Sequence, residues 1–388
     1  MRTHDHQQGT KRQSAPAPLR VLLCPDKPDW AFDNIAKNIE RHSDDNLIFK
    51  LYMQDTLERE QIFFERLMMN RIDVCHVFWR EDLFYLLSPS TIAKAARAMN
   101  FPYEALVRSL SSCAFTTSVY DHLFSDAKQL QERRYDFALI DGYTASSKKL
   151  HAIYNGEPQI PAPDVIIADG VDTDHFSPST MGETGRQQKA VGWAGNSAWG
   201  KNSDAGDVKG YHRLFAPMMA EIKQSGSNVQ ERVADPQKNR IPFSEMPDFY
   251  RGLDVFVCTS SMEGTPNPLL EAMACGIPVV STDVGIVPEV LGELQTRFII
   301  EDPKPEKFSK AVTEILENPS LQEALGKENR QRALDWSWQR HCAAWWPFWR
   351  EALHKATNAR NALRREAWLL SHAEFHSDLH SRQTLSGN

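Results

Sequence analysis

No uninterrupted apolar run of about 18 residues occurs in the 388-residue chain, and the mean hydropathy is −0.48, so a membrane-spanning helix is not expected. The opening stretch, Met1 to Leu19, is polar, carries two prolines and has no apolar segment. It therefore lacks the core of a secretory signal and reads as a disordered tail. There is no basic excess either: 44 Lys and Arg against 51 Asp and Glu leave a net charge of −7, which argues against general nucleic-acid binding. The six cysteines, at 24, 75, 113, 258, 275 and 342, form no C-x-x-C pair, and most sit in apolar runs. Buried free thiols in a reducing cytosol follow. No metal site is expected, because ligand pairs of the usual short spacing are missing.

What is present is an ordinary globular composition, 41% hydrophobic and 24% charged, long enough for two domains without staples. Short Val/Ile/Phe-rich runs recur at Val21–Cys24, Leu47–Met53, Val74–Trp79, Cys113–Val119, Phe137–Ile140, Val165–Ala168, Ala190–Ala194, Asp254–Cys258, Ile277–Ser281 and Phe298–Ile300. They are continuous rather than alternating, as strands covered on both faces should be. Helical patterns lie between them, at Phe32–Ile39, Leu57–Met69, Tyr211–Ile222 and Phe308–Leu316. Strand–helix alternation predicts an α/β chain with parallel sheets. A polar break spans Asp174–Gln188. It sets the expected layout: a tail over 1–19, a Rossmann-like domain over 20–180, a second over 181–336, a crossover helix over 337–357 and a tail over 358–388. Residues 225–240 are polar and carry no clear pattern.

The chemistry concentrates after the run ending at Cys258. There the sequence reads S-S-M-E-G-T-P-N-P-L-L-E-A-M-A-C-G-I-P-V-V from Ser260. Gly264, Pro266 and Pro268 predict a tight loop, with Asn267 as N-cap and Pro268 as the first residue of a helix. Such a helix start, at the carboxyl end of a parallel strand, is where open α/β sheets bind ligands. Its N–H groups and dipole suit a phosphate. The prolines donate nothing, so the available donors are Asn267, Leu269 and Leu270. Glu263 and Glu271 would repel a phosphate, so their partners are expected to be hydroxyls of a sugar or ribose.

These residues resemble the GT4-type retaining glycosyltransferases of GT-B fold. Glu263 and Glu271 enclose seven residues, inside the stretch from Glu263 to Val280. The segment I-A-D-G-V-D-T-D-H-F-S-P from Ile167 resembles the family's N-G-V-D…F-x-P, with Asp169 in place of Asn. Val191-Gly192 followed by Lys209-Gly210 resembles V-G-R…K-G, and Met246–Asp254 resembles the lead into the Glu motif. The resemblance covers about 165–345.

It implies two Rossmann-like domains facing a cleft, and transfer of a sugar from a nucleotide-diphosphate donor to an acceptor hydroxyl. Such reactions serve cell-surface polysaccharide or glycolipid synthesis. Lys209 would hold the donor phosphates, Glu271 the ribose, and Glu263 the sugar near its reacting carbon. Backbone at Ile241–Pro242 would face the base, Gly192 would line the donor site, and N–H groups at Asn267, Leu269 and Leu270 would steady the diphosphate. No metal is implied. Partners would be a nucleotide sugar and a glycan or lipid-linked acceptor, with a cytoplasmic location and peripheral contact at the inner membrane face.

This chain departs from the pattern in places. Trp193 stands where the family has a phosphate-binding Arg, with Lys201 or Arg213 as substitutes. A long insertion, Asn196–Val208, precedes Lys209, and its Trp199–Lys201 would fold over the donor. The first strand is followed by D-K-P-D-W-A-F, not a Gly-rich loop. Either His122 is the active-site His or the position has been exchanged, Tyr120 being the neighbour. Asp121 reads either as a cap for a helix from Leu123 or as a binding residue. A catalytically silent GT-B partner subunit that binds a nucleotide sugar is the alternative. Nucleotide-sugar epimerisation is disfavoured by the Glu motif.

Six of the ten tryptophans fall between Trp336 and Trp368. Trp338, Trp345, Trp346 and Trp349 make a helical stripe. It would pack a crossover helix on the first domain, or, if exposed, touch a membrane.

Overall fold

The computed structural model describes residues 17–122, 127–179, 188–199 and 206–372. The first sheet holds β1 (Arg20–Cys24), β2 (Leu47–Lys50), β3 (Val74–Trp79), β4 (Ala114–Val119), β5 (Gly142–Ala145) and β6 (Val165–Ile166). They lie in the order β2-β1-β3-β4-β5-β6, all parallel. The second sheet holds β7 (Lys189–Ala194), β8 (Val229–Ala234), β9 (Val255–Cys258), β10 (Val279–Thr282) and β11 (Ile299–Ile300). Its order is β11-β10-β9-β7-β8, again all parallel. Helices cover both faces, so the central strands are buried, and the polar side chains they carry are hydrogen-bonded inside: His76 of β3 meets Thr116 and Ser118 of β4. Every residue of Val255–Cys258 is buried, as the continuous runs require.

Two strands escaped the apolar-run reading. Phe137–Ile140 is not a strand: Phe137 ends a helix, Ala127–Phe137, and packs its ring 4.8 Å from Tyr143. The strand is the next segment, Gly142–Ala145, whose G-Y-T-A sequence has little apolar signal. β8, V-Q-E-R-V-A, lies in the polar 225–240 stretch. It is an edge strand paired only with β7, and an edge tolerates the charged residues a central strand excludes.

The chain returns to the first sheet after the second. The helix Trp345–Thr357 buries Trp345, Phe348, Trp349 and Ala352 in one cluster with Val21, Leu23, Val74 and Ala114. His76 of β3 meets the Trp345 ring edge-on at 4.8 Å. The tryptophan stripe is therefore core packing, and Trp346, half-buried, sits 5.3 Å from Trp349. The stripe does not form an exposed membrane face.

The segment from 358, expected as a tail, contains a further helix, Ala359–Ser371. Its Arg365 is buried. It donates to the Asp141 carboxylate at 2.6 Å and to the carbonyls of Leu110 and Cys113 at 3.1 Å each. Those carbonyls end a helical turn and precede β4; Leu110 also accepts from the Cys113 N–H at 3.3 Å. All six cysteines are buried and unpaired. Among the described residues, no helix is long and apolar enough to cross a membrane.

Candidate active site

The conspicuous loop is where the sequence puts it, between β9 and a helix, Asn267–Ala274, at the carboxyl edge of the second sheet. Its capping differs from expectation. Pro266, not Asn267, precedes the first helical residue, and the Asn267 side-chain amide donates instead to the Asp169 carboxylate at 3.4 Å. The expected diphosphate donors already have acceptors. Asn267 N–H reaches the Thr265 carbonyl at 2.9 Å, and Leu269 and Leu270 reach Pro266 at 2.9 and 3.4 Å. Pro266 thus takes up the first turn, and the positive end of the helix acts through its dipole more than through free N–H groups.

Lys209 and Glu263 come together. Lys209 Nζ donates to Glu263 Oε1 at 2.5 Å, and the same oxygen accepts from Ser260 Oγ at 2.7 Å. Lys209 is delivered by a turn at Gly210, which has φ +71° and presses against strand end β9. A Cβ on Gly210 would lie 2.1 Å from the Thr259 carbonyl oxygen, so only glycine fits there. A π-helical turn, Tyr211–Phe215, follows. Trp199 is the nearby aromatic: Lys209 Nζ lies 5.3 Å above its ring.

Trp193 explains its own exchange. It is buried, and its indole N–H donates to Thr259 Oγ1 at 3.0 Å. Thr259 Oγ1 in turn donates to the Lys209 carbonyl at 2.8 Å. The residue in the arginine position therefore holds the backbone of Lys209. Arg213 is exposed on the far side of the turn, and Lys201 lies outside the described residues.

Glu271, half-buried, stands in the helix Asn267–Ala274. Tyr250, fully buried, donates its hydroxyl to Glu271 Oε2 at 2.6 Å. Burial pushes the Glu271 carboxyl up to about 7, against the pull of the phenol hydrogen bond. Asp169, at the end of β6, is likewise buried, and burial lifts it to about 7 while the Asn267 amide opposes. Its backbone N–H donates to Thr265 Oγ1 at 3.2 Å. Asp169 therefore joins the first sheet to the helix start.

The signs give a test. Unfolded, Asp169 ionises near 3.8; folded, near 7. Below the lower value both states are neutral and the group is silent. Between the two the unfolded chain alone loses its proton, so stability falls as pH rises and then levels off. Asp169→Asn is expected to stabilise the protein in urea at pH 8 and to leave the midpoint nearly unchanged at pH 4. Equal shifts at both pH values would rule this out.

The first sheet presents the opposite wall. His122 follows β4; its Nε2 is buried and, among the described residues, has no hydrogen-bond partner, and burial lowers its pKa, with Asp121 opposing and Lys149 adding to the fall. Asp121 pairs with buried Arg80 at 3.0 Å; the helix it was expected to cap from Leu123 lies outside the described residues. The two walls touch at Gly264. A Cβ there would meet Ser146 Oγ at 2.1 Å and the Tyr120 carbonyl oxygen at 3.1 Å. Lys148 N–H donates to Glu289 Oε1 at 2.8 Å, and Lys149 Nζ to the Asp283 carbonyl at 2.7 Å.

Two expected residues fall elsewhere. Gly192 is buried in mid-strand, and a Cβ on it would lie 2.2 Å from Leu253 Cδ1; it makes room for core packing. Pro242 opens the exposed turn Phe243–Glu245, off the carboxyl edge of β8. Thr259, Ser260 and Tyr250 were missed. Only the Ser260–Glu263 pair, three residues apart, left a local signal.

Two parallel, doubly wound sheets meeting at their carboxyl edges, with a helix crossing back to the first, define the GT-B fold. Residues 238–332 match the family model described as glycosyl transferases group 1. The chain is 33% identical over 113 residues to spore coat protein SA of Bacillus subtilis, covering 27% of this chain and 30% of that protein. It is 25% identical over 200 residues to a GDP-mannose-dependent monoacylated alpha-(1-6)-phosphatidylinositol monomannoside mannosyltransferase of Corynebacterium glutamicum, covering 45% and 52%. The matched regions thus span 30% and 52% of these relatives' lengths. In structure, the chain is similar to a glycosyltransferase from Rickettsia africae, with a TM-score of 0.61 at 12% identity over 87% of this chain and 99% of that one.

Proposed function

We propose that this chain is a retaining glycosyltransferase, moving a sugar from a nucleotide-diphosphate sugar to an acceptor hydroxyl. The observation that carries the reading is the Lys209–Glu263 contact beside the helix that carries half-buried Glu271. A cation, a sugar-facing carboxylate and a ribose-facing carboxylate thus line one helix start. When a donor enters, Lys209 turns from Glu263 to the diphosphate. Glu263 is then free to accept from sugar hydroxyls, and Glu271 accepts from the ribose. The Lys209 charge and the helix dipole stabilise the departing diphosphate without a metal. The first domain supplies the acceptor, with His122 across the cleft. The group 1 match and the glycolipid mannosyltransferase relative support a glycan or lipid-linked acceptor and a role in cell-surface polysaccharide or glycolipid synthesis at the cytoplasmic membrane face.

The test is release of nucleoside diphosphate from a panel of sugar nucleotides, with Glu263→Ala and Glu271→Ala as controls. Turnover that both variants retain in full refutes the assignment. Tight donor binding without turnover across an acceptor panel identifies the silent partner subunit instead.

Glu271 makes donor binding pH-dependent. Hydroxyl donors need the ionised carboxylate, and the free protein holds it protonated below about 7. Affinity for UDP-glucose or GDP-mannose, whichever binds, is therefore expected to rise several-fold from pH 6 to pH 8. Calorimetry in two buffers should show proton release, and Glu271→Gln should flatten the slope. Tighter binding at pH 6 contradicts the ribose role.

A further inference from the structure

The first domain has a cavity of about 360 Å³ that the donor site does not use. It opens between the helices Ala127–Phe137, Trp345–Thr357 and Ala359–Ser371 and the starts of β5 and β6. Asp141 and Asp164 stand just before those strands, so the cavity lies at the amino edge of the sheet, opposite the cleft. Its charged lining is Arg134, Lys355, Arg364 and Arg365 against Asp141 and Asp164: four cations and two carboxylates, net +2, in a chain of net charge −7.

The two carboxylates are already engaged. Asp141 Oδ2 accepts from Phe115 N–H at 2.8 Å and from Arg365 at 2.6 Å. Asp164 accepts from Tyr143 N–H at 2.9 Å through one oxygen and from Lys355 through the other. Arg365 is spent on the wall, holding carbonyls as described above. Arg134 and Arg364 are both exposed. Arg134 lies over the Tyr135 ring, and among the described residues neither arginine meets a carboxylate. Two planar guanidinium groups around one concavity match a phosphate oxygen set, and the volume suits one small ligand.

We propose that this cavity is a second ligand site, separate from the donor cleft, that takes a phosphate monoester with Arg134 and Arg364 as its cations. The ester is either a soluble small molecule or a lipid headgroup; the recognition chemistry is the same. Two probes separate the sources: glycerol 3-phosphate by calorimetry, and phosphatidic acid in phosphatidylcholine vesicles by co-sedimentation. Saturable binding of either is expected, weakened at least 10-fold in Arg134→Ala/Arg364→Ala and unchanged in Lys209→Ala. Glycerol 3-phosphate binding alone identifies a soluble ester, and vesicle binding lost in the double variant identifies a headgroup. The proposal is overturned if neither probe binds, if the double variant binds as well as wild type, or if Lys209→Ala abolishes binding. That last result would put the phosphate in the donor cleft. The site stands independently of the transferase reading, since none of its residues belongs to the cleft.

Discussion

Lys209→Ala is expected to lower the rate of diphosphate release about 100- to 1000-fold, the usual cost of removing one preorganised group from a developing anion. The side chain is placed for this by three contacts that do not depend on a ligand. Gly210 turns the chain inward, Thr259 holds the Lys209 carbonyl, and Trp193 holds Thr259. The backbone of Lys209 is therefore fixed in advance, and only its side chain has to turn from Glu263. The loss should fall mainly on kcat, because charge on the leaving group grows toward the transition state, whereas donor KM should rise only a few-fold. Initial rates with a saturating donor separate the two. A fall of less than 3-fold would mean that another cation serves the phosphates. Trp193→Phe offers a milder companion: it removes the indole donor but keeps the bulk, so any loss of kcat reports the placing of Lys209.

Trp349→Ala is expected to destabilise the protein by about 3–5 kcal/mol, the range for deleting a fully buried aromatic side chain. Trp349 is 0% exposed, and its ring lies 5.1 Å from Trp345 and 5.8 Å from His76. Its indole N–H is buried without an acceptor. Removing that orphan recovers part of the loss and places the result toward the lower end. His76 cannot compensate by charging in the opened space. Burial holds its pKa at about 3, and its ring nitrogens face Thr116 and Ser118 at 3.0 and 3.3 Å. The urea midpoint, followed by near-ultraviolet circular dichroism, measures the effect. A loss below 1 kcal/mol would show that the crossover helix is not part of the first domain's core.

The legible parts of the molecule were those whose physics is local. Central strands show as apolar runs because both their faces are covered, and Val255–Cys258 is the clearest instance. The donor loop was readable because its prolines and glycine dictate a turn and a helix start within ten residues. The stripe from Trp338 was readable because helical spacing survives in sequence. The rest depends on partners far along the chain. Tyr250 meets Glu271 across 21 residues and Trp193 meets Thr259 across 66; nothing near either residue announces the pair. Asn267 had the chemistry of a cap, but a carboxylate 98 residues away drew its amide outward. The closing helix looked like a tail because few of its residues are apolar: its burial rests on Leu369 and on Arg365, and an arginine in sequence reads as surface.

Gly264 belongs at once to the loop that carries Glu263 and to the seam between the two sheets. Its α-carbon faces Ser146 and the Tyr120 carbonyl with no room for a methyl group. The seam is thus one hydrogen atom thick at the point nearest the proposed chemistry. A larger residue at 264 would hold the loop that carries Glu263 off the first sheet, so the spacing of the two halves at this point is set by a side chain that is not there.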